Sequence, residues 1–220
     1  MDARREKTTA RLRDAVLELA TAGPITDVTV SRLAAAARVH RSTVYTYASS
    51  PVELLQRVLR AELDVLRRAY LLDVAPEDAV AAIAGVTRAV LEHVDERDAI
   101  YRRGLGGESG SASLHPLLSE HFQESIELLL DQHSVSVPAD NEQERRMIAR
   151  YLADGIIGAI EVWLNGPPPR QVDALFALLA RVTPAWWPGS AASAGGVGAA
   201  SAGGAGTASA GGAGAASAAV

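Results

Sequence analysis

The sequence contains no cysteine, which removes disulfides, thiolate zinc sites, iron–sulfur clusters and a cysteine nucleophile together. It has no long hydrophobic run either. The longest apolar stretch, residues 156–164, is broken by Glu161 and preceded by Asp154, and the first fifteen residues are charged rather than apolar. Neither a membrane span nor a signal segment is expected, so the chain reads as a cytoplasmic protein with no membrane partner. No segment alternates apolar and polar residues for long enough to make a strand. The final 32 residues, 189–220, are 14 Ala, 10 Gly, 5 Ser, 2 Val and 1 Thr, without charge, aromatic ring or proline. They repeat with period eight from Ser193, Ser201, Ser209 and Ser217, and such a tract has too little apolar bulk to offset its ordering entropy. A disordered tail is expected there, with the core confined to residues 1–188. That length suits one domain, or a small domain attached to a larger one, and excludes a large multidomain enzyme.

What is present is helical and unevenly charged. Residues 1–50 carry 8 Lys and Arg against 5 Asp and Glu, while residues 51–188 carry 13 against 21; the basic end is a modest pointer to a polyanionic partner. Leu12, Ala15, Val16 and Leu19 form the i, i+3, i+4, i+7 stripe of a first helix that stops at Gly23-Pro24. Thr29 is a candidate N-cap for a second helix burying Leu33, Ala34 and Ala37, and a third runs from Arg41 to Tyr47 with Val39 and Val44 turned inward. Ser50-Pro51-Val52-Glu53 places Ser at N-cap, Pro at N1 and Glu at N3 of a fourth helix, striped by Leu55, Val58, Leu59, Leu63 and Leu66. Five further helical segments are expected over 76–95, 98–103, 116–131, 142–165 and 170–181. The fold class is all-α, about nine helices.

The segment Thr29-Val30-Ser31-Arg32-Leu33-Ala34-Ala35-Ala36-Ala37-Arg38-Val39-His40-Arg41-Ser42-Thr43-Val44-Tyr45-Thr46-Tyr47 has helix-turn-helix spacing. With the apolar first helix and the capped fourth, residues 8–60 resemble the N-terminal domain of TetR-family transcriptional regulators; beyond them the likeness is one of architecture. Three positions depart from the family pattern: Arg38 where the turn commonly has Gly, Ala48 where an aromatic closes the recognition helix, and Pro51 where a Lys often begins the fourth helix. The resemblance implies a homodimeric, effector-released repressor of a palindromic double-stranded DNA operator. It divides the chain into a DNA-binding domain over 1–50 and a ligand-binding and dimerisation domain over 51–188. Arg41, Ser42, Thr43, Tyr45 and Thr46 would then reach base edges or the backbone in the major groove, and Thr29, Ser31, Arg32 and Tyr47 would hold phosphates. Arg4, Arg5 and Lys7, read as a mobile N-terminal arm, would add counterion release. The alternative is a helical interaction or ligand-binding module whose helix-turn-helix no longer binds DNA.

The resemblance also implies an effector cavity in the larger half, for which His93, Tyr101, His121, Phe122 and Trp163 are the candidate lining. The segment 142–165 is apolar on two sides, so something packs on both. One side would meet the subunit core and the other a second copy, with Ile148, Tyr151, Leu152, Gly155, Ala159, Val162, Leu175 and Leu178 as the candidate dimer interface; a fully buried central helix in a monomer fits the same pattern. The glycine-rich residues 104–111 lack the preceding strand and GK[ST] ending of a phosphate loop, and read as an inter-helix loop, a candidate lid over the cavity. No HExxH, GxSxG or Glu-x-x-His pattern occurs, and Glu92-His93 and Glu120-His121, being adjacent, project in different directions from a helix. A non-enzyme without cofactor or metal is expected.

Overall fold

A computed structural model describes residues 3–106, 114–132 and 135–190. Among them every regular element is a helix: α1 Ala3–Ala22, α2 Val30–Ala37, α3 Arg41–Tyr47, α4 Pro51–Leu71, α5 Ala79–Glu96, α6 Asp98–Leu105, α7 His115–Asp131, α8 Glu142–Leu164 and α9 Val172–Val182. Residues 107–113, the greater part of the expected lid, and 191–220, nearly all of the expected tail, lie outside the described residues.

Local chemistry sets most of these boundaries. The Thr29 hydroxyl oxygen accepts the Arg32 amide and opens α2, and the Ser50 hydroxyl oxygen does the same for Glu53 at the start of α4. The Glu53 carboxylate reaches back to the amide and hydroxyl of Ser49 rather than to the N-cap amide. Those two bonds hold its carboxyl below the ordinary carboxylate range. Asn141 caps α8 through the Glu144 amide. The fifth segment starts later than its proline suggests, because Pro76–Asp78 form a 3-10 turn that leads into α5. The last helix also starts late, at Val172: Arg170 is drawn aside to Asp98, 2.6 Å away, and lies over the Trp163 ring.

α1, α2 and α3 pack around Leu12, Val16, Leu33 and Val44, all essentially inaccessible. α4 lies against α1 at one end and against α5 and α7 along its length, and α8 packs on α6, α7 and α9. One contiguous apolar core runs from Leu12 through Leu59, Leu63 and Leu91 to Ile157 and Trp187, each buried leucine contributing about 2 kcal/mol. Arg103 of α6 ties the two ends together by donating to the carbonyls of Ala20 and Thr21 at the end of α1. Arg4, Arg5 and Lys7 belong to α1 and so do not form the separate mobile arm expected of them; the Thr8 and Thr9 hydroxyls donate to the Arg4 and Arg5 carbonyls within the same helix.

Candidate nucleic-acid interface and internal cavity

Between Val28 and Val52 the sequence holds Arg32, Arg38 and Arg41 and no carboxylate. Among the described residues no salt bridge engages Arg32 or Arg41, so their guanidinium donors face water. Arg41, Ser42, Tyr45 and Thr46 are exposed along α3, and Thr29, Ser31 and Arg32 are exposed at the start of α2. Thr43 is half-buried, and Tyr47 is half-buried against the apolar core. Two of these hydroxyls are already committed. The Thr46 hydroxyl donates to the Ser42 carbonyl, leaving its oxygen as an acceptor, whereas the Thr29 oxygen accepts the Arg32 amide and keeps its proton for an outside acceptor.

Each departure from the helix-turn-helix pattern is absorbed locally. Arg38 takes the left-handed conformation a glycine would take, at φ 54° and ψ 48°, at a cost of about 1–2 kcal/mol for a residue with a Cβ. Its amide donates to the Ala35 carbonyl and the next, of Val39, to Ala34; this pairing ends α2 and turns Val39 onto the core. Ala48 is buried where the chain leaves α3, and the Arg57 guanidinium of α4 donates to the Tyr47 carbonyl at 2.6 Å, closing the last turn of α3. Pro51 occupies the first helical position, where its missing amide costs nothing. The outcome is a short exposed helix held at its C-terminus by α4.

In the larger half, α5, α7, α8, α9 and the segment after α9 enclose a cavity with about 120 Å3 open to the centre of a water-sized sphere. Ile83, Val86 and Val90 line it from α5, and Phe122, Ile126 and Leu129 from α7. Ile156, Phe176 and Trp187 close the far side. Its polar rim consists of His121, Ser125, Thr87, Thr183 and Ser190, and among the described residues no Asp, Glu, Lys or Arg lines it.

Of the five expected lining residues, His121 and Phe122 reach the wall. His93 and Tyr101 are buried elsewhere and satisfy each other, Nε2 to hydroxyl at 3.0 Å. Burial pushes the His93 imidazole down to about 4, with Arg97 and His121 adding to the effect, and pushes the Tyr101 phenol well above its ordinary value. His93 is thus a neutral imidazole and Tyr101 a neutral phenol, and the two share one buried hydrogen bond. Trp163 is occupied by the Arg170 guanidinium, 5.6 Å from the ring centroid. Phe176, Trp187, Ser125 and Ile156 were missed; the Trp186-Trp187 pair beyond the last helix was the one visible signal.

The candidate dimer residues divide by face. Tyr151 and Val162, each 75% exposed, point outward with Met147, Gly155 and Gly158, and Leu178 and Val182 of α9 are exposed as well. A Cβ added to Gly155 or Gly158 would meet no atom within 4 Å. Ile148 and Ala159 are half-buried, while Leu152 faces the cavity and Leu175 is buried in the subunit's own core.

No family model matches the chain, and no curated protein matches it in sequence. Solved structures do match in shape. A TetR-family transcriptional regulator from Streptomyces coelicolor superposes with TM-score 0.55 at 21% identity, over 82% of this chain and 82% of that one. The chain has the TetR-family fold. Thermus thermophilus FadR, a TetR-family repressor solved with lauroyl-CoA, matches with TM-score 0.56 at 19% identity, over 79% and 92% of the two chains. The dihydroxyacetone kinase operon activator DhaS matches with TM-score 0.55 at 17% identity, over 78% and 91%. Among the described residues no helix is long and apolar enough to cross a membrane.

Proposed function

We propose that the chain is a DNA-binding transcriptional regulator that occupies a palindromic operator as a homodimer and leaves it when a small molecule fills the cavity. The observation that carries this reading is the exposed α2–α3 face, with Arg32 and Arg41 unpaired among the described residues and no carboxylate from Val28 to Val52. On a duplex, α3 enters the major groove, where the Arg41 fork suits guanine O6 and N7, while Arg32, Ser31 and Thr29 hold phosphates. The outward apolar face of α8 and α9, with Tyr151, Gly155, Gly158, Val162 and Leu178, supplies a self-complementary surface for a two-fold partner.

α4 is the connection between effector and operator. It spans about 30 Å, holds α3 through Arg57, and at its far end places Leu71 in the cavity wall. A ligand that repositions the wall moves the two recognition helices relative to each other, and only differential affinity for the two spacings is needed to release DNA. Among the neighbours one is named an activator and another a repressor; repression is the simpler assignment, since occupying promoter DNA is enough to achieve it.

The test is selection from a random duplex library with the full chain at about 0.15 M salt, where non-specific binding is suppressed. Enrichment of a palindrome with half-sites in successive major grooves is expected. A folded, dimeric protein that enriches nothing would refute operator binding and leave a helical module whose helix-turn-helix is structural.

A further inference from the structure

The cavity is selective in chemistry as well as in size. Its accessible space of about 120 Å3 is comparable to the roughly 150 Å3 apolar cavities that hold benzene, so one ring fits it. No charged side chain lines it among the described residues. The charges beside His121 are spent on one another: Arg67 pairs with Asp64 at 2.7 Å and with Glu124 at 2.6 Å, and Arg60 reaches Glu124 at 3.7 Å, while Arg88, behind the Phe176 ring, pairs with Asp173. A carboxylate or ammonium entering here would lose its hydration without gaining a partner.

The polar groups on the wall are also one-sided. The Ser125 hydroxyl donates to the His121 carbonyl at 2.7 Å, Thr183 donates to Leu179, and Ser190 donates to Ala185 at 3.4 Å. Ser125 and Thr183 thus turn their protons onto backbone and offer lone pairs to the interior. His121 follows the same rule. Its Nδ1 is sealed from solvent, has no hydrogen-bond partner and stands 3.8 Å from the Asp64 carboxylate. Nδ1 is the ring nitrogen beside that carboxylate, and the neutral ring with its proton there keeps Nε2 as an acceptor. Thr87, whose hydroxyl can turn either way, completes the polar rim. His121 and Ser125 are i and i+4 neighbours on α7, so the two acceptors lie on one patch of wall.

We propose that this cavity takes a small uncharged molecule of about one ring that carries a hydroxyl, donating its proton to the acceptor patch of His121 and Ser125 while Phe122, Phe176 and Trp187 enclose the ring. The proposal rests on reading the cavity as the effector site and names the chemical class it selects. Burial, which pushes the His121 imidazole down to about 4 with Arg67 adding to it, keeps that side chain neutral at pH 7.

The test is calorimetric titration of the full chain at pH 7 with phenol, with anisole, which cannot donate, and with benzoate, which is charged. Phenol is expected to bind about tenfold tighter than anisole, the difference a buried hydrogen bond makes, and benzoate not at all. Ser125→Ala and His121→Phe should each lower phenol affinity toward that of anisole and leave anisole within about twofold, so that anisole also reports an intact cavity. Equal affinity for phenol and anisole, variants that affect both alike, binding of benzoate, or no heat from any of the three would overturn the assignment. Operator release is read separately on the selected duplex. Phenol that binds with the expected discrimination but leaves the protein–DNA complex intact supports the ligand class and removes the effector role.

Discussion

Stability should fall with pH in the range where a histidine ordinarily titrates, because two histidines are buried as neutral rings. His93 and His121 are both held down to about 4 by desolvation, against about 6.5 in an unfolded chain. A lowered folded value means that the unfolded state binds protons first as pH falls. The stabilisation is therefore complete above about pH 6.5 and drains away as pH drops toward 4. Between pH 7.5 and 5.0 each ring should cost the folded state about 2 kcal/mol, about 4 for the pair. Burial sets the sign; Arg97 and His121 add to it beside His93, and beside His121 Arg67 and Arg60 add to it while Asp64 and Glu124 oppose it. Urea unfolding at pH 7.5, 6.5, 5.5 and 5.0, a window above most carboxylate titration, measures the loss. His93→Gln and His121→Gln, although less stable at pH 7.5, should each flatten the profile by about half. A profile flat to within about 1 kcal/mol, or one that both variants leave unchanged, would refute the buried neutral state.

Tyr101→Phe removes the hydrogen-bond partner of His93 Nε2, and the orphaned ring nitrogen should cost about 1–3 kcal/mol, read by urea unfolding at pH 7.5. Gly158→Trp places a large ring where a Cβ meets nothing. The subunit should stay folded by circular dichroism while sedimentation shifts from dimer to monomer, and an unchanged sedimentation coefficient would move the interface off α8. Gly104→Ala drives a methyl into the Leu114 side chain, which is buried and whose amide donates to the Gly104 carbonyl at 2.7 Å. A loss of about 1–3 kcal/mol is expected, measurable as a melting-temperature drop. On the selected operator, Arg41→Ala should cost about 1–3 kcal/mol and relax one position per half-site, whereas Arg32→Ala should weaken operator and random DNA alike and reduce the salt slope by about one. Equal effects from both on both DNAs would contradict the division between base and phosphate contacts.

Local signals were legible because their partners lie within four residues in sequence. α3 begins at Arg41 and ends at Tyr47 as its spacing predicts, and the caps at Thr29 and Ser50 accept the amides expected of them. The left-handed turn at Arg38 agrees with the resemblance, which puts a glycine at that position. The cavity was not, because its lining depends on how α5, α7, α8 and α9 are rotated about their own axes. His93 and His121 look alike in sequence, each preceded by a glutamate on an apolar helix. One is satisfied by a tyrosine eight residues later, and the other is left facing the cavity.

α8 poses the same problem within one helix. Its apolar residues run round two sides, and Tyr151 and Leu152, neighbours in sequence, have opposite fates, one outward and one on the cavity wall. The glycines lie on the outward side. Gly155 and Gly158 have open space where a Cβ would stand, so they were not required by packing within the subunit. Close approach of another surface would account for two residues that cost a helix about 1 kcal/mol apiece relative to alanine. The side of α8 that shares the cavity with Ile83 and Phe122 and the exposed side that carries Gly155 and Gly158 are two faces of one helix. If the proposed dimer forms through that outward side, a ligand that shifts the first face would move the second, and a pocket lined largely by aliphatic side chains would then set the distance between two recognition helices.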